Sequence, residues 1–161
     1  MPIEIERKFL LADDSWRNDA DAGIKMRQGY LSNNSKSSIR VRISGNEANL
    51  NIKSAEPGCI RCEYEYSIPV LEAEELLADL CHDAQVEKVR YHVDVSGFIW
   101  EIDVFSGENE GLVVAEIELD DINQVFPIPP WLGCEVSDEI RYYNSHLISY
   151  PYCSWSCEEK L

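Results

Sequence analysis

Positive charge is scarce in this chain. Against 30 aspartates and glutamates stand 14 lysines and arginines, a formal net charge of −16. That balance argues against a general nucleic-acid or membrane-surface binder, since both partners are themselves anionic. Long apolar runs are missing too. None approaches the ~18 residues that span a bilayer, so no membrane partner is expected. The N-terminus carries no apolar stretch of the signal-peptide kind, and the expected location is the cytoplasm. In that compartment the six cysteines read as reduced thiols and not as a disulfide framework. Cys59-x2-Cys62 and Cys153-x3-Cys157 have the spacing of half zinc sites. However, Cys62 opens an expected strand and the second pair falls in an irregular tail, which leaves free thiols as the reading. No P-loop pattern is present. No Ser-His-Asp or Cys-His arrangement stands out. Of the three histidines, only His92 shares a strand face with other charged groups, and it reads as a local hydrogen-bonding residue.

What the chain does have is alternation. Its 161 residues suit one domain with a real core, expected over residues 1–150 and followed by an irregular tail, 151–161. No repeat or low-complexity linker divides it. Short period-two segments over 2–10, 25–31, 37–44, 47–54, 61–69, 86–94, 98–105 and 112–119 read as antiparallel strands. Ser32-Asn33-Asn34, Gly45-Asn46, Pro57-Gly58 and Ser96-Gly97 supply turn signals. One helix is expected over Leu71–Cys81, with Leu76, Leu77 and Leu80 on its apolar stripe. Another is expected over Ser137–Ile148, with Ser137 as N-cap and Asp138 and Glu139 in the first turn. Pro127, Pro129 and Pro130 mark a rigid connection into it. The fold class is thus α+β, mainly β.

The polar faces of these strands are unusual. In an extended strand, residues two apart share a face. The charged doublets that result carry one sign each: Glu4-x-Glu6 (followed by Lys8), Arg40-x-Arg42, Glu63-x-Glu65, Lys88-x-Arg90, Glu101-x-Asp103 and Glu116-x-Glu118. An ordinary solvated face mixes signs, because like neighbours destabilise one another. Half of the cations, seven of 14, fall on these faces: Lys8, Arg40, Arg42, Lys53, Arg61, Lys88 and Arg90. If the sheet closes into a barrel, that surface becomes its lumen. A cationic cluster beside an acidic one suits a polyphosphate gripped by Arg and Lys. The carboxylates suit a hard divalent ion such as Mg²⁺ or Mn²⁺. Metal-assisted phosphoanhydride hydrolysis follows as a candidate reaction.

These residues resemble those of the CYTH domains, the triphosphate tunnel metalloenzymes. Besides the doublets, the resemblance rests on Arg27-Gln28-Gly29-Tyr30-Leu31, Pro130-Trp131-x-Gly133-x-Glu135-Val136 and Arg141-Tyr142-x-Asn144, and it covers the chain to about Leu147. It looks closest to small bacterial members that hydrolyse inorganic triphosphate. The resemblance implies a closed eight-stranded antiparallel β-barrel with a few flanking helices. It implies an enzyme, a metal-dependent inorganic triphosphatase that uses Mg²⁺ or Mn²⁺, takes a small-molecule triphosphate and works as a monomer or homodimer. Lys8, Arg40, Arg42, Lys53, Lys88 and Arg90 would bind substrate, and Glu4, Glu6, Glu116 and Glu118 would hold metal. Glu4, Glu6, Lys8, Lys88 and Tyr30 would serve catalysis. Glu63, Glu65, Glu101 and Asp103 would support the acidic side, and Tyr30 and Arg141 would modulate the tunnel mouth, Arg141 also touching substrate. Other readings are a nucleoside or thiamine triphosphatase, an adenylate cyclase, or a non-catalytic polyphosphate-binding module. One departure is Ile140, where related sequences often carry Lys.

Overall fold

A computed structural model describes residues 2–55, 58–82 and 84–160. Pro57 of the expected turn and Leu161 of the tail lie outside the described residues. The chain forms β1 (Ile3–Leu11), β2 (Ile24–Asn33), β3 (Ser37–Ser44), β4 (Glu47–Ser54), β5 (Ile60–Ile68), α1 (Val70–Asp79), β6 (Val86–Val95), β7 (Phe98–Phe105), β8 (Val113–Glu118), β9 (Leu132–Glu135) and α2 (Asn144–Leu147). Strand order is β5-β4-β3-β2-β6-β7-β8-β1-β9, and a β5–β1 pairing closes the ring. Eight strands make the antiparallel barrel, as expected. Strand β1 is its seam: it pairs with β8 over Glu6–Leu10 and with β5 over Ile3–Ile5.

The ninth strand was hidden in the proline-rich connection. β9 joins the far end of β1, with Phe9 opposite Glu135 and Leu11 opposite Leu132. It is four residues long and shows no alternation, so periodicity could not reveal it. Gly133 makes the pairing possible, because a Cβ there would lie 2.8 Å from the Leu10 carbonyl oxygen. Neither backbone can yield. Gly133→Ala is therefore expected to destabilise the fold by about 1–3 kcal/mol, the usual range for an overpacked site, read as a lower denaturation midpoint.

The outward strand faces are apolar and covered. Phe9, Trp100, Ile102, Ala115 and Ile117 pack under Trp16, Phe126 and Trp131. Val41, Ile43 and Ala48 lie under Ala73 and Leu77 of α1. That helix begins one residue before the expected range and stops two short of it. Its buried stripe is Ala73 and Leu77, while Leu80, expected on it, is 65% exposed. Hairpin β6–β7 turns on Ser96 and Gly97, φ 56 and 87, the two positive values of a type I′ turn.

The second expected helix is broken. Residues Ile140–Tyr142 form a 3-10 turn, Tyr143 is extended (φ −73, ψ 136), and α2 has only four residues. Tertiary hydrogen bonds outcompete the helix here. Ser137 caps nothing: its hydroxyl accepts from the Lys8 backbone N–H at 3.0 Å and donates to Glu135 at 2.7 Å. The Tyr143 hydroxyl donates to the Ser137 carbonyl at 2.7 Å and accepts from the Gly58 N–H at 3.1 Å. Tyr142, Leu147 and Trp155 then cover one end of the lumen, packing on Val86, Phe105 and Val114. The tail thus contributes a buried tryptophan to the core.

Candidate active site

The strand faces with like-sign doublets do converge inward. They line one cavity of about 920 Å³, large enough for a small charged ligand and well above the size of a buried water site. Glu4, Glu6, Lys8, Tyr30, Arg40, Arg42, Lys53, Glu63, Glu65, Arg90, Glu101, Glu116 and Glu118 all contribute to its wall.

Three of those carboxylates gather at one end. Oxygens of Glu4, Glu6 and Glu118 lie within 4.8 Å of one another. The ladder dictates this: Glu6 is directly opposite Glu118, and Glu4 is two residues before Glu6 on the same face. Lys53 donates to both Glu4 oxygens at 2.8 and 2.7 Å, and Arg61 approaches Glu6 at 3.6 Å. Glu118 has no ion pair among the described residues. Burial first, then the nearby Glu101, Glu4, Glu6 and Glu63, pushes its pKa up to about 7. A group held so far above its ordinary range is one that a cation would relieve. The donor set, three carboxylates offering hard oxygens, fits Mg²⁺ or Mn²⁺. Glu116, expected to join this cluster, lies apart from it. It is 3% exposed and bonds to Lys8 at 2.8 Å and Arg90 at 2.6 Å. Burial disfavours its charge, but Lys8, Arg90 and Lys88 outweigh that and hold its pKa well below the usual range.

Two walls of the lumen differ in kind. On β6, β7 and β8 every buried cation has an acid. Arg90 donates to Asp103 through Nε and Nη2, both at 2.7 Å, and also pairs with Glu101 and Glu116. Lys88 is bound to Asp103, and burial lowers its pKa to about 8 despite that partner. Lys88 and Asp103 do not reach the cavity wall; they sit beneath Arg90 and brace it. The β3 wall is the reverse. Arg40 is 8% exposed and has no hydrogen bond or ion pair among the described residues. Arg42 meets only Glu65, at 3.3 Å, and its pKa is lowered by burial and then by the adjacent Arg40 and Arg90. Adjacent, desolvated, under-paired guanidinium groups are a site for an anion.

Several expected placements are corrected. Arg141 does not line the cavity; it donates to the Glu159 carbonyl at 3.0 Å and lies against Tyr142 and Trp155. Tyr30 is buried at 4% exposure and lines the cavity. His92 stands as expected: it bonds to Asp21 at 2.9 Å, a local partner. Arg61 was seen on its strand face but left out of the cation grip. It lines the cavity with its guanidinium 5.0 Å from the Tyr143 ring. Its spacing of two from Glu63 was the signal. Tyr143, also on the wall, had none, and Asn144 beside it was marked only by the Arg141-Tyr142-x-Asn144 motif. All six cysteines are unpaired, and no cysteine belongs to a metal-ligand cluster among the described residues. No helix there is long and apolar enough to cross a membrane.

Known proteins share this architecture. The CYTH domain pattern matches residues 2–146. An inorganic triphosphatase of Acetivibrio thermocellus is 48% identical over 152 residues, covering 94% of this chain and 97% of its own length. An inorganic triphosphatase of Nitrosomonas europaea is 38% identical over 148 residues, covering 89% and 95%. Among solved structures, one of an inorganic triphosphatase superposes with a TM-score of 0.64 at 35% identity, over 92% of this chain and 95% of that one. A putative adenylyl cyclase from Hippeastrum, with a dominant triphosphatase activity, superposes at 0.55 and 16% identity over 75% and 80%. At that identity it is a likeness of fold.

Proposed function

Because the chain belongs to the CYTH domain family, we propose that it is a metal-dependent triphosphatase cleaving inorganic tripolyphosphate to pyrophosphate and phosphate. One observation carries this reading: an under-paired arginine wall and a three-carboxylate cluster share a single cavity. Arg40, Arg42, Arg61 and Lys53 bind phosphate oxygens. Lys8 and Arg90 are held in place by Glu116, Asp103 and Glu101, so their side chains stand fixed on the wall before substrate arrives. Glu4, Glu6 and Glu118 hold Mg²⁺ or Mn²⁺. When bound, such an ion neutralises phosphate oxygens and makes water a stronger nucleophile. Glu63 and Glu65 orient Asn51, whose amide donates to them at 2.7 and 2.6 Å.

Charged and polar groups dominate the wall, though Ile3, Ile5 and Leu119 also contribute to it, and that balance favours a bare phosphate chain over a nucleotide or thiamine ester. A panel of tripolyphosphate, ATP and thiamine triphosphate tests this. Tripolyphosphate should have the largest kcat/KM, and a clear preference for ATP, with or without cyclic AMP as product, would replace the reading with a nucleotide one.

A pH dependence follows from Glu118. Its pKa of about 7 means that acid occupies the carboxylate that metal needs. At limiting Mg²⁺ the rate should rise as pH climbs through neutrality. Saturating Mg²⁺ should move that rise to lower pH, because metal and proton compete. A pH–rate profile at two metal concentrations reads the shift.

A further inference from the structure

Buried polar atoms without partners concentrate on one wall of the lumen. Among the described residues there are eleven such side-chain atoms, and six belong to Gln28, Arg40, Arg42, Asn49 and Asn51. The strand register puts these in two cross-strand rows. Gln28 is opposite Arg42, which is opposite Asn49; Tyr30 is opposite Arg40, which is opposite Asn51. Directly opposed residues share a face, and Arg42 lines the cavity, so Gln28 is on the inner face too.

Gln28 is the extreme case. It is 0% exposed, and neither its amide nitrogen nor its amide oxygen has a partner. A methionine would fill that volume with no polar atom to satisfy. The Arg42 Nε beside it is also buried and unpartnered. The chemistry of the row explains why an amide stands there. A guanidinium gripping phosphate through its terminal nitrogens still has the Nε–H to place. A carboxylate would accept that hydrogen but cancel the charge, as Asp103 and Glu116 do for Arg90. An amide oxygen accepts it and leaves the charge intact for the anion.

We propose that Gln28 is a positioning residue for Arg42: its side-chain oxygen receives the Arg42 Nε–H when the arginine turns to an anionic phosphate chain, fixing the guanidinium without neutralising it. This rests on the proposed function, deepening how that site selects a polyanion. The deficit is present in the ligand-free arrangement and is met in the bound one. Gln28 therefore favours binding at the expense of stability.

Thermal melting and calorimetric titration with tripolyphosphate in excess EDTA test this without turnover. Gln28→Met should melt higher than the unaltered protein. It should also bind tripolyphosphate about tenfold more weakly, the scale of one hydrogen bond to a charged group. Gln28→Glu should bind more weakly still, because its carboxylate cancels Arg42. In the metal-loaded enzyme, KM should rise more than kcat falls. Unchanged affinity in Gln28→Met overturns the proposal, as does a lower melting point with unchanged KM, which marks a packing residue. Binding in EDTA with no turnover once Mg²⁺ or Mn²⁺ is supplied sinks the hydrolytic reading alone. Absence of binding both in EDTA and with Mg²⁺ or Mn²⁺ supplied sinks both.

Discussion

Arg90→Ala should unfold this protein under conditions where Arg40→Ala barely changes its stability, yet Arg40→Ala should lose its ligand. The two arginines are equally buried, at 7% and 8% exposure, and differ in partners. Arg90 bonds to Asp103, Glu101 and Glu116. Removing it strands buried carboxylates, a loss of about 3–5 kcal/mol for one broken buried pair. Asp103 keeps Lys88 and Glu116 keeps Lys8, which limits the damage to that range. Arg40 forms no ion pair among the described residues, feels an acid only through the more distant Glu63, and stands beside Arg42, whose ionisation it disfavours. Deleting it removes a desolvated charge and a repulsion, so the melting point should hold or rise. Tripolyphosphate affinity should fall roughly 100-fold, as expected when hydrogen bonds to a charged group are lost. Denaturant unfolding of both variants, paired with calorimetric titration, separates the effects. Equal destabilisation by both would mean that the two walls do not differ.

Glu118→Gln should abolish most activity while stabilising the metal-free fold above neutral pH. The carboxylate is ordinary in the unfolded chain, with a pKa of 4.5, and raised to about 7 in the fold. A raised acid is a liability once it must ionise. The fold's stability from this group is intact below about 4.5 and declines as pH rises toward 7, reaching its full loss above that. The glutamine amide has no proton to lose. The variant should therefore melt like the unaltered protein at pH 4 and above it at pH 8, when both are metal-free. With Mg²⁺ or Mn²⁺ the order should reverse, because only the carboxylate binds the ion and gains from it. Activity should fall at least roughly 100-fold, on the scale of losing one charge-stabilising group at a reacting centre. A variant with normal activity would remove Glu118 from the metal site.

The barrel was legible in the sequence because its strands alternate strictly. Ile39-Arg40-Val41-Arg42-Ile43 and Ala115-Glu116-Ile117-Glu118-Leu119 announce both period and face. The lumen followed from the like-sign doublets, which solvent-facing sheets avoid. What local pattern could not give was pairing across the barrel. Glu116 and Glu118 look alike as a doublet. The ladder sets Glu116 opposite Lys8 and Glu118 opposite Glu6, so one is neutralised and the other left among carboxylates. Lys88 and Arg90 look alike as well, yet only Arg90 reaches the cavity. β9 escaped notice because Gly133 places it by a backbone approach and not by apolar period. The helix expected from Ser137 gave way because the Ser137 and Tyr143 hydroxyls are committed to Lys8, Glu135 and Gly58. Arg141 looked like a mouth residue only while the tail's contact through Glu159 was unknown. Gln28, inside a recognised motif, carried no charge and so no local sign of its position beside Arg42.

The central claim is that one lumen joins an arginine wall to a carboxylate metal site for work on a phosphate chain. Phosphorus NMR of tripolyphosphate incubated with the protein, with Mg²⁺ and then with excess EDTA, tests it most directly. The account predicts conversion to pyrophosphate and phosphate in equal amounts with Mg²⁺, and an unchanged spectrum with EDTA. Equal turnover in EDTA, or intact tripolyphosphate under both Mg²⁺ and Mn²⁺, would contradict it.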